Sequence, residues 1–362
     1  KNSILISEVT YPNYKVNQSG YLTKYSSDAQ AKYFGDIINL AGKLKISGIF
    51  INTLFDYKGE FASLYGSYSE TGFYKFGVLD NSRNLNSIGY KVLSAKLGND
   101  AKVTIPIGTR KDESPIVFIL LALFLSILMA VLINTKKKFR EDCTRALLRP
   151  YNFFADVRDH RIMSGIHTVI LMLIQAASAS LLITILLYYF RSNILLEKLL
   201  IAVGHHSLLK LISYLAWNPQ VCLVFFFIVI IIKFILLSVI IKFASFFIKT
   251  RVEFSSIFFS VVWSFLPLTL FLPVELILFK LLTNGNFDTL ILIGLVLFLF
   301  WILQRIFKGI HVVFDVRPLT VYLYSMAVII FIVGGVLWKY QLTSATFYYI
   351  TNSIKQYNSM IF

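Results

Sequence analysis

Six side chains stand where their chemistry is at odds with their neighbours. Glu8 closes the apolar run "ILISEV" at 4–9. A carboxylate at the end of such a run sits at the rim of a sheet, where it can serve as a nucleophile or a general base. Alone, it is most simply a solvated strand end. Asn52, Asp56 and Tyr57 end or follow a second apolar run, "KISGIFINTLFDY" at 45–57. They bring an amide, an acid and a phenol to the same kind of position. Lys233 and Glu275 lie inside long apolar stretches, and ionisable groups at membrane depth are functional candidates by default. Lys233 falls about 18 Å below the outer end of its span and Glu275 about 8 Å, at 1.5 Å per residue. That gap of about 10 Å argues against a direct ion pair, since snorkelling closes only part of it. No metal centre is expected. Cys143 and Cys222 are the two cysteines, and His205 and His206 are adjacent rather than one helical turn apart. No cofactor is implied.

The elements that must hold the first four residues alternate. "ILISEV" reads as a buried strand. "SSDAQAKYFGDIINLAGKL" at 26–44 reads as a helix, capped by Ser27 or Asp28, with Phe34, Ile37, Ile38 and Ala41 at helical spacing. "GIFI" lies in a second buried strand. A long loop follows at 58–84, then a short helix, "SIGYKVLSAKL" at 87–97. This is the unit of a parallel α/β fold. Two parallel strands cannot cover both their faces, so the unit belongs to something larger. The order matches the last two βα units of a (β/α)8 barrel, in which functional side chains sit at the C-terminal strand ends.

The rest of the chain is of another kind. Overall it is 57% hydrophobic with 33 Phe, well above a soluble domain, and the excess lies beyond residue 114. Six segments can span a bilayer: 115–135, 162–190, 211–241, 254–274, 281–304 and 319–338. The net charge of +16 is explained by cytoplasmic loops, not nucleic acid, because no basic face with interleaved aromatics occurs outside the membrane flanks. The strongest basic block, 135–161, follows the first span and belongs in the cytoplasm, with Lys249, Arg251, Arg305, Lys308 and Arg317 in later inner loops. Residues 1–114 are then extracytoplasmic. The stretch 141–165 reads as an interfacial amphipathic helix, with Leu147, Leu148, Tyr151, Phe153 and Phe154 in the headgroup boundary. Pro267 and Pro273 should kink their span.

Two resemblances add to this. "SEV" at 7–9, "AQAKYF" at 29–34, "GIFINTLFDY" at 48–57 and "FGVLDNSRNLNSIGY" at 76–90 come in the order and at the spacing that close family 2 glycoside hydrolases, the glucuronidase and galactosidase type. The resemblance covers residues 1–97. It implies that Glu8 is the nucleophile of a retaining glycosidase, with carbohydrate as ligand and Asn52, Asp56 and Tyr57 near it. The partner carboxyl of that mechanism, about 5–5.5 Å away, would come from an earlier barrel strand. The chain is therefore expected to be the tail of a longer product, inactive alone. Asn52 stands where the family has Trp, which removes a stacking floor for sugar. Over 145–341, "LLRPYNFFADVRDHR", "RVEFSSIFFSVVWSFLPLTLFLPVELIL" and "WILQRIFKGIHVVFDVRP" resemble the Yip family of polytopic membrane proteins, which implies a helical membrane bundle without catalytic residues.

The expected architecture is thus a partial α/β barrel end at 1–97, a linker at 98–114, a first membrane helix at 115–135 and a basic segment at 136–165. A five-helix Yip-like region at 162–341 and a tail at 342–362 complete an all-α six-helix membrane bundle. Lys, Asn, Ile and Phe usage points to an AT-rich bacterial genome, hence a bacterial plasma membrane. The expected function is that of a membrane-tethered glycoside hydrolase-like protein. The rivals are a catalytically dead carbohydrate sensor or scaffold, and a membrane transport or trafficking component with a small ectodomain. The sequence leaves the sugar and the oligomeric state open.

Overall fold

The computed structural model describes residues 4–13, 20–58, 73–80, 82–83, 85, 87–98, 103–109, 115–161, 164–191, 193–202, 205–247, 252–283 and 288–344, with a few positions from 348 to 355. In chain order the elements are β1 (Leu5–Val9), α1 (Ser27–Lys43), β2 (Gly48–Ile51), β3 (Tyr57–Lys58), β4 (Phe73–Tyr74) and α2 (Ile88–Gly98). Then come α3 (Ile116–Thr135), α4 (Lys137–Leu148), α5 (Pro150–Arg158), α6 (Gly165–Phe190), α7 (Ile194–Ala202) and α8 (His206–Trp217). The chain continues through α9 (Pro219–Ala244), α10 (Phe254–Ser264), α11 (Leu272–Thr283), α12 (Asp288–Phe314) and α13 (Pro318–Ser344). They form two compact units. One comprises Lys1–Glu113, Phe190–Trp217 and Ser344–Phe362; the other comprises Ser114–Tyr189 and Asn218–Thr343.

In the first unit β1 and β2 pair in parallel, Leu5 opposite Gly48 and Ile6 opposite Ile49, with an irregularity before Val9 meets Ile51. The α1 helix begins on Ser26, one residue before the expected caps, and the Ser26 hydroxyl accepts the Ala29 N–H at 3.1 Å. Asp28 instead accepts the Gly20 N–H at 2.8 Å. In α2 the Ser87 hydroxyl accepts from the Tyr90 N–H at 3.2 Å. Val9, Phe34, Val78 and Leu93 form a small core between the strands and the two helices. The strands are not buried as their composition suggested: Leu5 is 59% and Phe50 60% exposed. Helices cover one face of the pair and leave the other open, the consequence of two parallel strands on their own. The short antiparallel β3–β4 pairing falls, but for Tyr57, within the expected loop 58–84; most of that loop lies outside the described residues. Within the expected linker, Pro106 and Ile107 accept backbone N–H bonds from Tyr21 and Leu22 at 3.0 and 3.1 Å.

The second unit is helical. Among the described residues six segments are long and apolar enough to cross a membrane: Ile116–Thr135, Gly165–Phe190, Pro219–Phe243, Phe254–Thr283, Thr289–Phe314 and Pro318–Lys339. The third starts at Pro219, because residues 206–217 form α8. Pro150, Pro219 and Pro318 each open a helix, where the absent N–H needs no partner. The fourth span breaks where its prolines lie. Leu266–Phe271 winds as a 3-10 helix between α10 and α11, since Pro267 and Pro273 deny α-helical hydrogen bonds to the carbonyls before them. The fourth and fifth spans also run further than expected, to Thr283 and Phe314.

The basic segment folds as two helices, α4 and α5, divided at Arg149–Pro150. Phe153 and Phe154 are fully buried in the bundle core beside Phe139, rather than lying in the headgroup boundary. The Trp263 ring lies 4.9 Å from Phe153 and 5.9 Å from Phe139, and its Nε1 donates to Thr168 at 3.0 Å. Lys136, Lys137, Lys138, Arg140, Arg145 and Arg149 remain exposed, as do Leu148 and Tyr151.

Candidate functional site

The C-terminal ends of β1 and β2 bring Glu8 and Asn52 together. The Asn52 N–H continues the ladder by donating to the Val9 carbonyl at 3.0 Å. Its side-chain Nδ2 then donates to Glu8 Oε1 at 2.8 Å, and the Thr10 hydroxyl donates to the same oxygen at 2.7 Å. Glu8 is exposed. The two bonds, Thr10 first and Asn52 second, hold its carboxyl below the ordinary 4.5, against a smaller opposing effect of burial. It is therefore an ionised acceptor at neutral pH, the state a nucleophilic carboxylate requires.

Tyr57 stands at the same end. Partial burial and the Glu8 charge both raise its phenol above 10.0, while a hydrogen bond with Asn52 lowers it. Its ring packs edge-on to Tyr74 at 5.2 Å, which fixes the phenol against the β3–β4 pair. Glu8, Asn52 and Tyr57 thus share one strand-end rim.

Asp56 does not join them. Its Oδ1 accepts the Gly77 N–H at 2.8 Å, and the Asp56 N–H donates to the Leu79 carbonyl at 3.3 Å. Burial raises its carboxyl, with the Gly77 bond opposing. Asp56 thereby ties the segment 76–79 to the end of β2. Gly77 is obligatory there, since a Cβ would collide with the Asp56 nitrogen and the Leu79 oxygen. The sequence reading passed over Gln30 as a site-building residue. Its Nε2 donates to the Tyr11, Gly77 and Phe76 carbonyls at 3.0, 3.1 and 3.3 Å, tying the segment after β1 to the one after β3–β4. A lone Gln in the first turns of a helix carries no sequence signal for that role.

The two membrane charges are apart. Glu275 is 1% exposed and its Oε1 accepts the Ser178 hydroxyl at 2.7 Å. Ser178 lies midway along Gly165–Phe190, so Glu275 sits at mid-depth, deeper than its expected place near the outer end. Lys233 lies on the exposed side of α9 with its ammonium 4.2 Å from the centre of the Phe265 ring and 5.3 Å from that of Phe234, a cation–π placement. Arg305, expected in an inner loop, is instead 4% exposed within α12. It donates to the carbonyls of Ala146, Ser264 and Trp263 at 2.8, 3.2 and 3.5 Å, closing the C-terminal ends of α4 and α10. Among the described residues no group of three or more His, Cys, Asp or Glu could hold a metal ion.

Comparison with family models, with curated proteins and with solved structures returned no match.

Proposed function

We propose that the first unit is the closing part of a retaining glycoside hydrolase-like barrel, tethered by the helical unit to a bacterial plasma membrane and facing away from the cytoplasm. The observation that carries the reading is the Glu8 carboxylate at the end of a parallel strand, held ionised by Thr10 and Asn52. In a retaining mechanism such a carboxylate attacks the anomeric carbon and forms a glycosyl-enzyme ester. The general acid that protonates the departing oxygen is assigned to a barrel strand outside these two βα units. Asn52 aligns the attacking oxygen, and Tyr57 stands beside it to meet a ring oxygen or hydroxyl. The outward reading is supported by the exposed Lys136, Lys137, Lys138 and Arg140 that follow the first span, a basic run that belongs on the cytoplasmic side. The resemblance of 145–341 to Yip-type membrane bundles stays part of the proposal, supported by five of the six spans.

The test is turnover of chromogenic glycosides by the intact membrane protein. Glu8→Gln should reduce it on the order of 10³-fold or more, and azide should rescue Glu8→Gly. Equal turnover by wild type and Glu8→Gln would overturn the assignment. A second reading, a barrel that binds carbohydrate without cleaving it, is favoured by Asn52 in place of a stacking ring. It predicts sugar binding with no turnover in either form.

A further inference from the structure

The bundle interior contains polar groups that neither the tether nor the hydrolase reading uses. Gln175 and Glu275 are each 1% exposed. Both amide atoms of Gln175, and Oε2 of Glu275, are buried without a hydrogen-bond partner. An unsatisfied buried polar atom is costly in water-poor surroundings, and more so at membrane depth. Three such atoms on two side chains call for an occupant.

Helical geometry brings them to one level. Gln175 and Ser178 are three residues apart on α6, hence on one face, and Ser178 already contacts Glu275 of α11. Leu171, four positions before Gln175, and Thr168, three before Leu171, follow on the same face, and Thr168 accepts from Trp263 of α10. So α6 runs alongside the fourth span, matched at Thr168 with Trp263 and at Ser178 with Glu275. Gln175 lies about 10 Å beyond Thr168 along α6 at 1.5 Å per residue. The same distance beyond Trp263, through α-helix and then 3-10 helix, reaches about Leu268 to Thr269. This is the broken segment Leu266–Phe271. Thr269 is buried there, its carbonyl served by the i→i+3 bonding of the 3-10 helix.

We propose that Glu275 Oε2 and Gln175 Oε1 are ligands of a binding site for a small monovalent cation of the Na+ class at the centre of the membrane unit. Both donors are hard oxygens, one of them a carboxylate, and Ser178 fixes that carboxylate by bonding its other oxygen. A cation there satisfies the oxygens that the protein leaves bare and balances the charge of Glu275, which Lys233 does not reach. The inference is independent of the role of Glu8.

The test uses the full chain in detergent at one fixed pH. A hydrophobic carbodiimide, which modifies carboxyls within the bilayer region, is applied in choline chloride with Na+ raised from about 1 to about 100 mM, and thermal stability is followed in parallel, since a ligand of the folded state stabilises by mass action. Na+ should protect Glu275 from modification about tenfold and raise Tm; K+ and choline should do neither to the same extent. Gln175→Ala should shift the half-protecting Na+ concentration upward, and Glu275→Gln, which keeps the Ser178 bond, should abolish the Na+-dependent Tm shift while remaining folded. Modification of Glu275 that ignores Na+, or a Na+-dependent Tm shift equal in wild type and Glu275→Gln, overturns the site. If the variants fail to fold, wild type in Na+ against choline decides alone: no protection and no shift overturns it.

Discussion

Replacing Arg305 tests how the membrane unit is held together. The guanidinium is buried within a span and bonds the last carbonyls of two other helices. The Ala146 and Ser264 bonds are well within range, whereas the Trp263 contact at 3.5 Å is at the limit of a real bond. Arg305→Met keeps the length and removes every donor. Two buried carbonyls are then orphaned at about 1–3 kcal/mol each. Against this, removing the cation relieves its own desolvation, since no acid lies within ion-pairing distance of Arg305 among the described residues. The net expected loss is about 2–3 kcal/mol, roughly 30- to 150-fold in the unfolding equilibrium. Arg305→Lys restores one donor and should fall between. The assay is reversible unfolding in mixed detergent and SDS micelles. A Met variant as stable as wild type, or more so, refutes the reasoning: desolvation of the guanidinium would then outweigh its bonds, and Arg305 would not be a structural clamp.

Other outcomes follow from the same structure. Gly77→Ala forces a Cβ into the Asp56 and Leu79 backbone and should destabilise the first unit by about 2–4 kcal/mol, seen as earlier proteolysis of that unit. Because the folded pKa of Glu8 is lowered, its contribution to stability is present above the ordinary 4.5 and is lost as pH falls through the lowered value. Thr10→Val removes the larger cause and should move the Glu8 titration upward in a 13C carboxyl NMR experiment; no movement would show that Thr10 does not set it. Asp56 acts oppositely, its raised pKa eroding stability as pH climbs above 3.8. Cys143 is buried, and burial followed by the Asp142 charge pushes its thiol up to about 12. Thiol reagents should therefore leave it unmodified at neutral pH until the unit unfolds. Alkaline phosphatase fused after Ser114 should be active and fused after His160 inactive; the reverse pattern would invert the topology.

The spans were legible because length and apolarity decide them almost alone. The break at Leu266–Phe271 was legible too, since Pro267 and Pro273 act locally. What the sequence did not carry was who faces whom. Phe153 and Phe154 have the composition of a membrane-surface helix, yet pack inward because Trp263 and Phe139 offer aromatic faces from distant segments. Arg305 reads as one more basic residue near a span end, and only the meeting of α4, α10 and α12 gives its donors acceptors. Glu275 was misplaced in depth because the 3-10 break hides where the fourth span ends. At the rim, Glu8 and Asn52 could be placed from strand order, a property of the parallel pair. Asp56 could not be separated from them, because one residue along the chain divides a side chain facing the rim from one bonded to Gly77.

The most direct test of the central claim is covalent capture. A 2-deoxy-2-fluoro glycosyl fluoride panel, including glucuronide and galactoside forms, slows breakdown of a glycosyl-enzyme ester. Incubated with the intact membrane protein and mapped by peptide mass spectrometry, one member should add a single sugar to Glu8, with none on Glu8→Gln. Turnover of the parent glycosides with the sugar found on another carboxylate, or no capture and no turnover across the panel, would contradict Glu8 as a retaining nucleophile.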